Sequence, residues 1–285
     1  MATSSIQAAN LFAVNGLVAV ITGGGSGIGL MMARALALNG AHKVYIIGRR
    51  KDVLEKAAAS VTTSNIIPIV GDVTSKSDLE SIAARITSEE GYINVLIANS
   101  GILGPQAKPS ISPSMTLSEF QDAFTSTTFD DFVNTFAVNV GGVWLTIMSF
   151  LSLLDAGNKK GNVSQKSQII TTSSIASFNR AVPGGYSYGQ SKAAVTHLTK
   201  QLSTGLVPYE IRVNSIAPGL FPSDMAAGLI GDGNLPKSKV PLERAGSEED
   251  MAGAVLFLAS KAGAYVSGNI LLIDGGRLSI HPAAY

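Results

Sequence analysis

Seven short runs of apolar, largely β-branched residues recur along the chain, each separated from the next by a longer stretch with helical spacing. They occupy 17–21, 43–47, 66–70, 95–98, 168–172, 212–216 and 270–273. Runs that are apolar throughout, instead of alternating with polar residues, belong to strands covered on both faces. Strands that alternate with helices form βαβ units around a parallel sheet. The predicted fold class is therefore α/β: a doubly wound parallel sheet of about seven strands with helices on both faces. The clearest helical stretches are 27–38, stopped by Gly40, and 250–260, preceded by Glu248 and Glu249 where a helix start favours anions. A chain of 285 residues fits one such domain. The expected organisation is a flexible Ser/Ala-rich leader over 1–10 and a single domain over 11–285.

Composition narrows the function classes. Lys+Arg 21 against Asp+Glu 20 gives a net charge of +1, so nucleic acid is not expected as a partner. Charged residues are 14% of the chain, against about 25% in an average domain, which suggests surface hidden in a homo-oligomer, a dimer or tetramer. There is no cysteine, and His42, His197 and His281 are widely scattered, so no metal site is expected. The first basic residue is Arg34, which gives no targeting signal and an expectation of cytoplasmic location. No uninterrupted apolar run is long enough to suggest a membrane span. Three segments break the rhythm of strands and helices: 103–128, 155–166 and 220–246. The first and third read as substrate loops and the second as a solvated polar loop.

The first strand runs into Thr22-Gly23-Gly-Gly25-Ser26-Gly27-Ile28-Gly29 and then a helix. A diphosphate placed there meets backbone N–H groups and the positive end of the helix dipole, the arrangement of a Rossmann-like dinucleotide site. The spacing G-x-G-x-x-G is not matched; T-G-x-x-x-G-x-G is. A carboxylate at the end of the second strand would bind the adenosine ribose hydroxyls and select NAD. Here Gly48 occupies that position and Arg49 and Arg50 follow, which favours a 2′-phosphate and so NADP(H).

Tyr188 and Lys192 stand four residues apart, on one face of a helix. A unit charge about 4 Å from the phenol at an effective dielectric near 20 favours the phenolate by about 4 kcal/mol, enough to lower a pKa of about 10 by up to three units. Tyr188 then becomes an acid-base group near neutral pH. Tyr186 has Gln190 at its fourth position and lacks this partner.

With these motifs together, the sequence resembles the short-chain dehydrogenase/reductase family over about 17–276. Further matches are Gly71-Asp72-Val73, Ala98-Asn99-Ser100-Gly101, Asn139 before Gly141 and Gly142, Ser173-Ser174, Arg212 to Gly219, and Asp274-Gly-Gly276. The resemblance implies NADPH-dependent reduction of a ketone or aldehyde to an alcohol, reversibly, with hydride from the cofactor. It implies that Ser174 bonds the substrate carbonyl, Tyr188 gives the proton, Lys192 holds the nicotinamide ribose and Asn139 anchors a water relay. It further places Asp72 and Val73 by the adenine, Asn99 and Gly101 along the cofactor, and Pro218, Gly219, Phe221 and Ser223 by the nicotinamide. Ser173 is a lesser candidate than Ser174. Ala98 departs from the family's usual Asn-Asn-Ala-Gly, and Ser223 replaces a usual threonine. A homotetramer is the family's usual assembly, with the helix near Asp130 and the one carrying Tyr188 as contacts.

The substrate class stays open among simple ketones, 3-oxoacyl thioesters, polyketides and steroids. Leu220, Phe221, Met225, Leu229 and Ile230, with Gly228, Gly231 and Gly233, suit an apolar lid and hence a substrate with an apolar body. Two other classes compete. Gly185-Tyr186-Ser187-Tyr188-Gly189 fits a serine-hydrolase elbow, with Asp224 or Asp274 and His281 downstream, but no strand leads directly into it. A cofactor-binding sensor without turnover would not need the four candidate residues. Trp144 reads as core, and His197 as a packed or interface residue.

Overall fold

In the computed structural model, which describes residues 6–181 and 185–284, seven parallel strands form one sheet in the order β3-β2-β1-β4-β5-β6-β7. They are β1 (Val18–Thr22), β2 (Lys43–Gly48), β3 (Ile66–Val70), β4 (Val95–Ala98), β5 (Gln168–Thr172), β6 (Arg212–Pro218) and β7 (Ile270–Ile273). The helices are α1 (Ala8–Leu11), α2 (Gly27–Leu38), α3 (Lys51–Ala58), α4 (Lys76–Glu89), α5 (Leu117–Asp122), α6 (Phe129–Phe136), α7 (Gly142–Lys160), α8 (Tyr186–Gly205), α9 (Ala227–Ile230) and α10 (Glu248–Ala259).

The continuous apolar runs explain the architecture. Along β1, Ala19 and Ile21 enter one core, shared with Met32 and Leu36 of α2 and Val255 of α10. Val18 and Val20 enter the other, with Leu79 of α4 and Ile147 and Phe150 of α7. Every β1 residue is buried because both faces are covered. At the far edge, buried Arg212 ties β6 to its surroundings: its guanidinium donates to Gln168 Oε1 at 2.9 Å and to the Gly263 carbonyl at 3.0 Å. With no carboxylate beside it, burial lowers its pKa to about 10.

Three expectations need correction. Residues 155–160 are not loop: α7 runs on to Lys160 and ends on Gly161 in the left-handed conformation, φ 60°. Trp144 is not core but 45% exposed on α7; of the two readings of His197, packed or at an interface, its exposure on α8 removes packing within one chain. In the segment expected as a leader, Ala8–Leu11 forms one helical turn, and residues 1–5 lie outside the described residues. Finally, α6, a π-helical turn (Ala137–Gly141) and α7 make one helix, Phe129–Lys160, long and apolar enough by composition to cross a membrane. Its buried side chains, including Val143, Ile147, Phe150 and Leu154, are part of the second core, as in a helix packed on a sheet.

Gly157 lets α7 approach the chain entering β4. A Cβ there would strike the Ile93 carbonyl oxygen and lie 2.8 Å from Ser167 Oγ. Gly157→Ala gains helix propensity worth about 1 kcal/mol but overpacks this contact at a cost of roughly 1–3 kcal/mol. Urea unfolding is expected to show net destabilisation; a stabilised variant would mean that the helix can retreat freely.

Candidate active site

The strand order reverses direction between β1 and β4, and the carboxyl ends of the strands open there on a cleft of about 1350 Å³. Its first wall is the turn after β1. Gly23 and Gly27 take φ +67° and +51°, which side chains rarely adopt. Gly29 lies against the Gly23 carbonyl, so close that a Cβ would collide with it. Ser26 caps α2 with extended backbone and no side-chain bond, and the first turn of α2 holds no acid. Those amides therefore remain directed at the cleft, as a diphosphate requires. Gly25, Ser26, Gly27 and Ile28 all border it.

Thr22 plays a different part from the one expected. It is buried beneath the turn, and its Oγ1 accepts the Asn99 amide at 3.0 Å and the Ser100 amide at 3.2 Å. It positions the end of β4 and does not line the cleft. Asn99 answers by donating Nδ2 to the Thr22 carbonyl at 3.0 Å, which leaves its buried Oδ1 without a partner. Gly48, Arg49, Arg50, Asp72 and Val73, expected around an adenosine, border the same cleft. The amide and hydroxyl of Thr74 hold the Asp72 carboxyl below its ordinary pKa, with the nearby Arg49 guanidinium adding to the effect. Arg50 reaches Asp224 at 3.9 Å, a well-exposed pair that contributes little.

At the other end, Ser174, Tyr188 and Lys192 come together. Lys192 is buried and donates Nζ to the Thr172 carbonyl at 2.7 Å; burial brings its pKa down to about 8. Its Nζ lies 5.8 Å from the centre of the Tyr188 ring. The expected lowering of the tyrosine does not occur in the free chain. Tyr188 edges the cleft, but burial around its hydroxyl raises the pKa, and only a hydrogen bond with Ser174 works the other way. Desolvation is the larger of the two causes, since removing the hydroxyl from water disfavours the phenolate.

Ser173 is already committed, donating to the Lys192 carbonyl at 3.0 Å and pairing with Thr196 Oγ1 at 2.7 Å. Asn139 lies behind the site, in the π-helical turn. Its Oδ1 accepts the Ile102 amide at 2.8 Å, and its Nδ2 donates to the Ile102 carbonyl at 2.9 Å and to Ser191 Oγ at 3.0 Å. With these bonds its side chain clamps the loop after β4 to α8. Ser187 is buried on α8, donating to Thr135 Oγ1 at 3.3 Å, with β5 ending as far back as Thr172, so the elbow geometry is absent.

Gly101, Pro218, Gly219, Phe221 and Ser223 all border the cleft. Phe221 is 4% exposed and packs its ring against Gly246. The loop 103–128 contains the capped helix α5, and Phe124 of this loop meets Tyr186 with ring centres 5.5 Å apart. Tyr186 also faces the cleft, as do Gln106, Asn179 and Arg277, which carried no motif in the sequence. The C-terminal segment reinforces this wall: Arg180 donates its amide to the Pro282 carbonyl and Ala284 to that of Phe178, both at 2.8 Å. Only the folded topology brings these residues together.

Residues 23–277 match the family described as enoyl-(acyl carrier protein) reductase. The chain is 55% identical over 290 residues to the short-chain dehydrogenase/reductase PhomF of Diaporthe leptostromiformis, covering 99% of this chain and 98% of the relative. The RhlG/NADP active-site complex of Pseudomonas aeruginosa is similar with a TM-score of 0.79 and 29% identity, over 94% of this chain and 98% of that one. The 3-ketoacyl-(acyl-carrier-protein) reductase of Brucella melitensis complexed with NADH gives 0.76 and 27%, over 93% and 100%. With the glycine turn, the open amides of α2 and the Ser174, Tyr188 and Lys192 group at one switch-point cleft, the chain belongs to the short-chain dehydrogenase/reductase family and is an oxidoreductase of that type, built for a nicotinamide dinucleotide.

Proposed function

We propose that the protein reduces a ketone or aldehyde to an alcohol with NADPH, reversibly. The observation that carries this reading is the convergence of Ser174, Tyr188 and Lys192 in the same cleft as the glycine turn and Arg49. The bound dinucleotide supplies the hydride. The residues of the chain do the rest. Ser174 Oγ accepts the Ala176 amide at 3.1 Å and is hydrogen-bonded to the Tyr188 hydroxyl, and its proton turns to a substrate carbonyl oxygen that enters between them. Tyr188, raised by burial, stays protonated at neutral pH and so holds the proton that the forming alkoxide takes. Lys192, anchored on Thr172, keeps further donors for the nicotinamide ribose. Asn139 positions the loop after β4.

Arg49 supports NADP(H) over NAD(H), because Gly48 presents no carboxylate to repel a 2′-phosphate and Arg49 presents a planar cation. Met225 and Leu229 line the outer part of the cleft, about half exposed, while Ala226, Ile230, Leu235 and Val240 form a small core beneath them. That arrangement supports a substrate with an apolar body, a class that includes 3-oxoacyl thioesters, and a segment able to close over it. A homo-oligomer completes the reading. Phe129, Val133 and Trp144 are 80%, 43% and 45% exposed on the helix formed by α6 and α7, an apolar surface suited to a second copy.

Tyr188→Phe removes the proton and little else. Its kcat/KM is expected to fall on the order of 10²- to 10⁴-fold while NADPH affinity, measured by fluorescence, stays close to that of the unaltered protein. Near-normal turnover would reject the mechanism. In Gly48→Asp combined with Arg49→Ala, the ratio of kcat/KM for NADPH over NADH should drop by roughly ten- to a hundred-fold, the worth of a charge-assisted bond. An unmoved ratio would locate phosphate recognition elsewhere. Light scattering at micromolar concentration should give the mass of a dimer or tetramer, and a monomer would remove the assembly from the account.

A further inference from the structure

Arg277 stands apart from the other charged groups of the cleft. Arg49, Arg50, Asp72 and Asp224 also border it, Asp224 within 3.9 Å of Arg50, and Lys192 stands beside Tyr188. Arg277 lies beyond the last strand: β7 ends at Ile273, Gly275 and Gly276 turn the chain with φ +62° and +80°, and Arg277 opens a short helical turn over Arg277–Ser279. It borders the same cleft and is half-buried there.

Among the described residues its side chain makes one hydrogen bond, from Nη1 to the Lys239 carbonyl at 2.7 Å. A guanidinium has five N–H donors, so most of this fork is unused. No carboxylate stands within ion-pair distance of it among the described residues. Asp274, three residues back, is already spent: its Oδ1 accepts the Gly276 amide at 2.9 Å and its Oδ2 the Leu278 amide at 2.7 Å. Burial accordingly lowers the pKa of Arg277, with Asp274 opposing only through its charge at longer range.

A cation taken partly out of water with one neutral bond is a cost that a structural role does not require, because a glutamine could hold the Lys239 carbonyl equally well. What the arrangement suits is a planar anion entering from the cleft, which a guanidinium meets with two parallel bonds. We propose that Arg277 is a specificity-determining residue that binds a carboxylate carried by the substrate, in addition to the carbonyl presented to Ser174 and Tyr188. The substrate is then an oxo acid whose apolar body runs past Leu229 and Met225.

The turnover part of this inference rests on the reading of the protein as a carbonyl reductase; the binding part does not. The test uses a homologous series of phenyl-substituted oxo acids and their methyl esters. Binding to the NADP-loaded full-length protein is followed by calorimetry, and reduction by NADPH consumption. The acids should bind and react better than the esters. Arg277→Gln should reduce binding and kcat/KM for the acids by roughly ten- to a hundred-fold, shift the esters far less and leave NADP affinity in place. Arg277→Lys, which keeps the charge, should recover part of the preference.

Acid-selective binding without any reduction would uphold the subsite and count against carbonyl reduction as the activity. Acids and esters that bind alike in the unaltered protein overturn the subsite, whatever is reduced. It is equally overturned if Arg277→Gln weakens both series in parallel or weakens NADP, since Arg277 then serves the fold or the cofactor. Failure of Arg277→Lys to recover any preference, with a lowered melting temperature, has the same meaning.

Discussion

The bond from Lys192 Nζ to the Thr172 carbonyl sets the position of everything at the closed end of the cleft. It joins the middle of α8 to the last residue of β5, and Ser173 Oγ doubles the joint by donating to the Lys192 carbonyl. One turn earlier on α8, Tyr188 then falls beside Ser174, which follows directly on β5. An ammonium buried this way is costly, and the cost appears as a pKa brought down to about 8. The sheet makes the arrangement possible because β5 lies between β4 and β6 and is buried throughout. A carbonyl at the end of such a strand is a fixed acceptor that water cannot readily replace.

The same economy governs the cofactor end. Thr22 closes β1, gathers the amides at the end of β4 and leaves the following glycines to turn the chain. Gly29 then lets α2 start against the Gly23 carbonyl, so the helix start and the strand ends face one cleft. Binding and chemistry are thus coupled through β1, β4 and β5, which are neighbours in the sheet.

Much of this was legible in the residues. Apolar runs buried on both faces are a strong signal, and 66–70, 95–98, 168–172 and 270–273 coincide with β3, β4, β5 and β7. Spacing also carried the glycine turn and the pairing of Tyr188 with Lys192. What stayed hidden depends on tertiary neighbours. The partners of the Asn139 side chain, Ile102 and Ser191, are thirty-seven and fifty-two positions away, so its clamp could not be read from the sequence. The phenol's proton affinity could not follow from a four-residue spacing, because that spacing supplies the lysine's charge and says nothing of its desolvation. Residues 155–160 are polar on the outer side of a helix whose buried side holds Leu154 and Gly157, and composition alone reads such a face as loop. Arg277 directly follows the Asp274-Gly-Gly276 motif without being part of it, and its place in the cleft comes from the turn after β7.

The proton states of Tyr188 and Lys192 in the free protein are therefore the decisive quantities. A carbon-13 NMR titration of the Tyr188 Cζ and Lys192 Cε, assigned with Tyr188→Phe and Lys192→Met, reads both together. Lysine titrating at about 8 and tyrosine above its ordinary value is the predicted result. A lysine still charged above its ordinary range, beside a tyrosine that ionises near neutral pH, would contradict the claim that burial, more than the cation, controls this site.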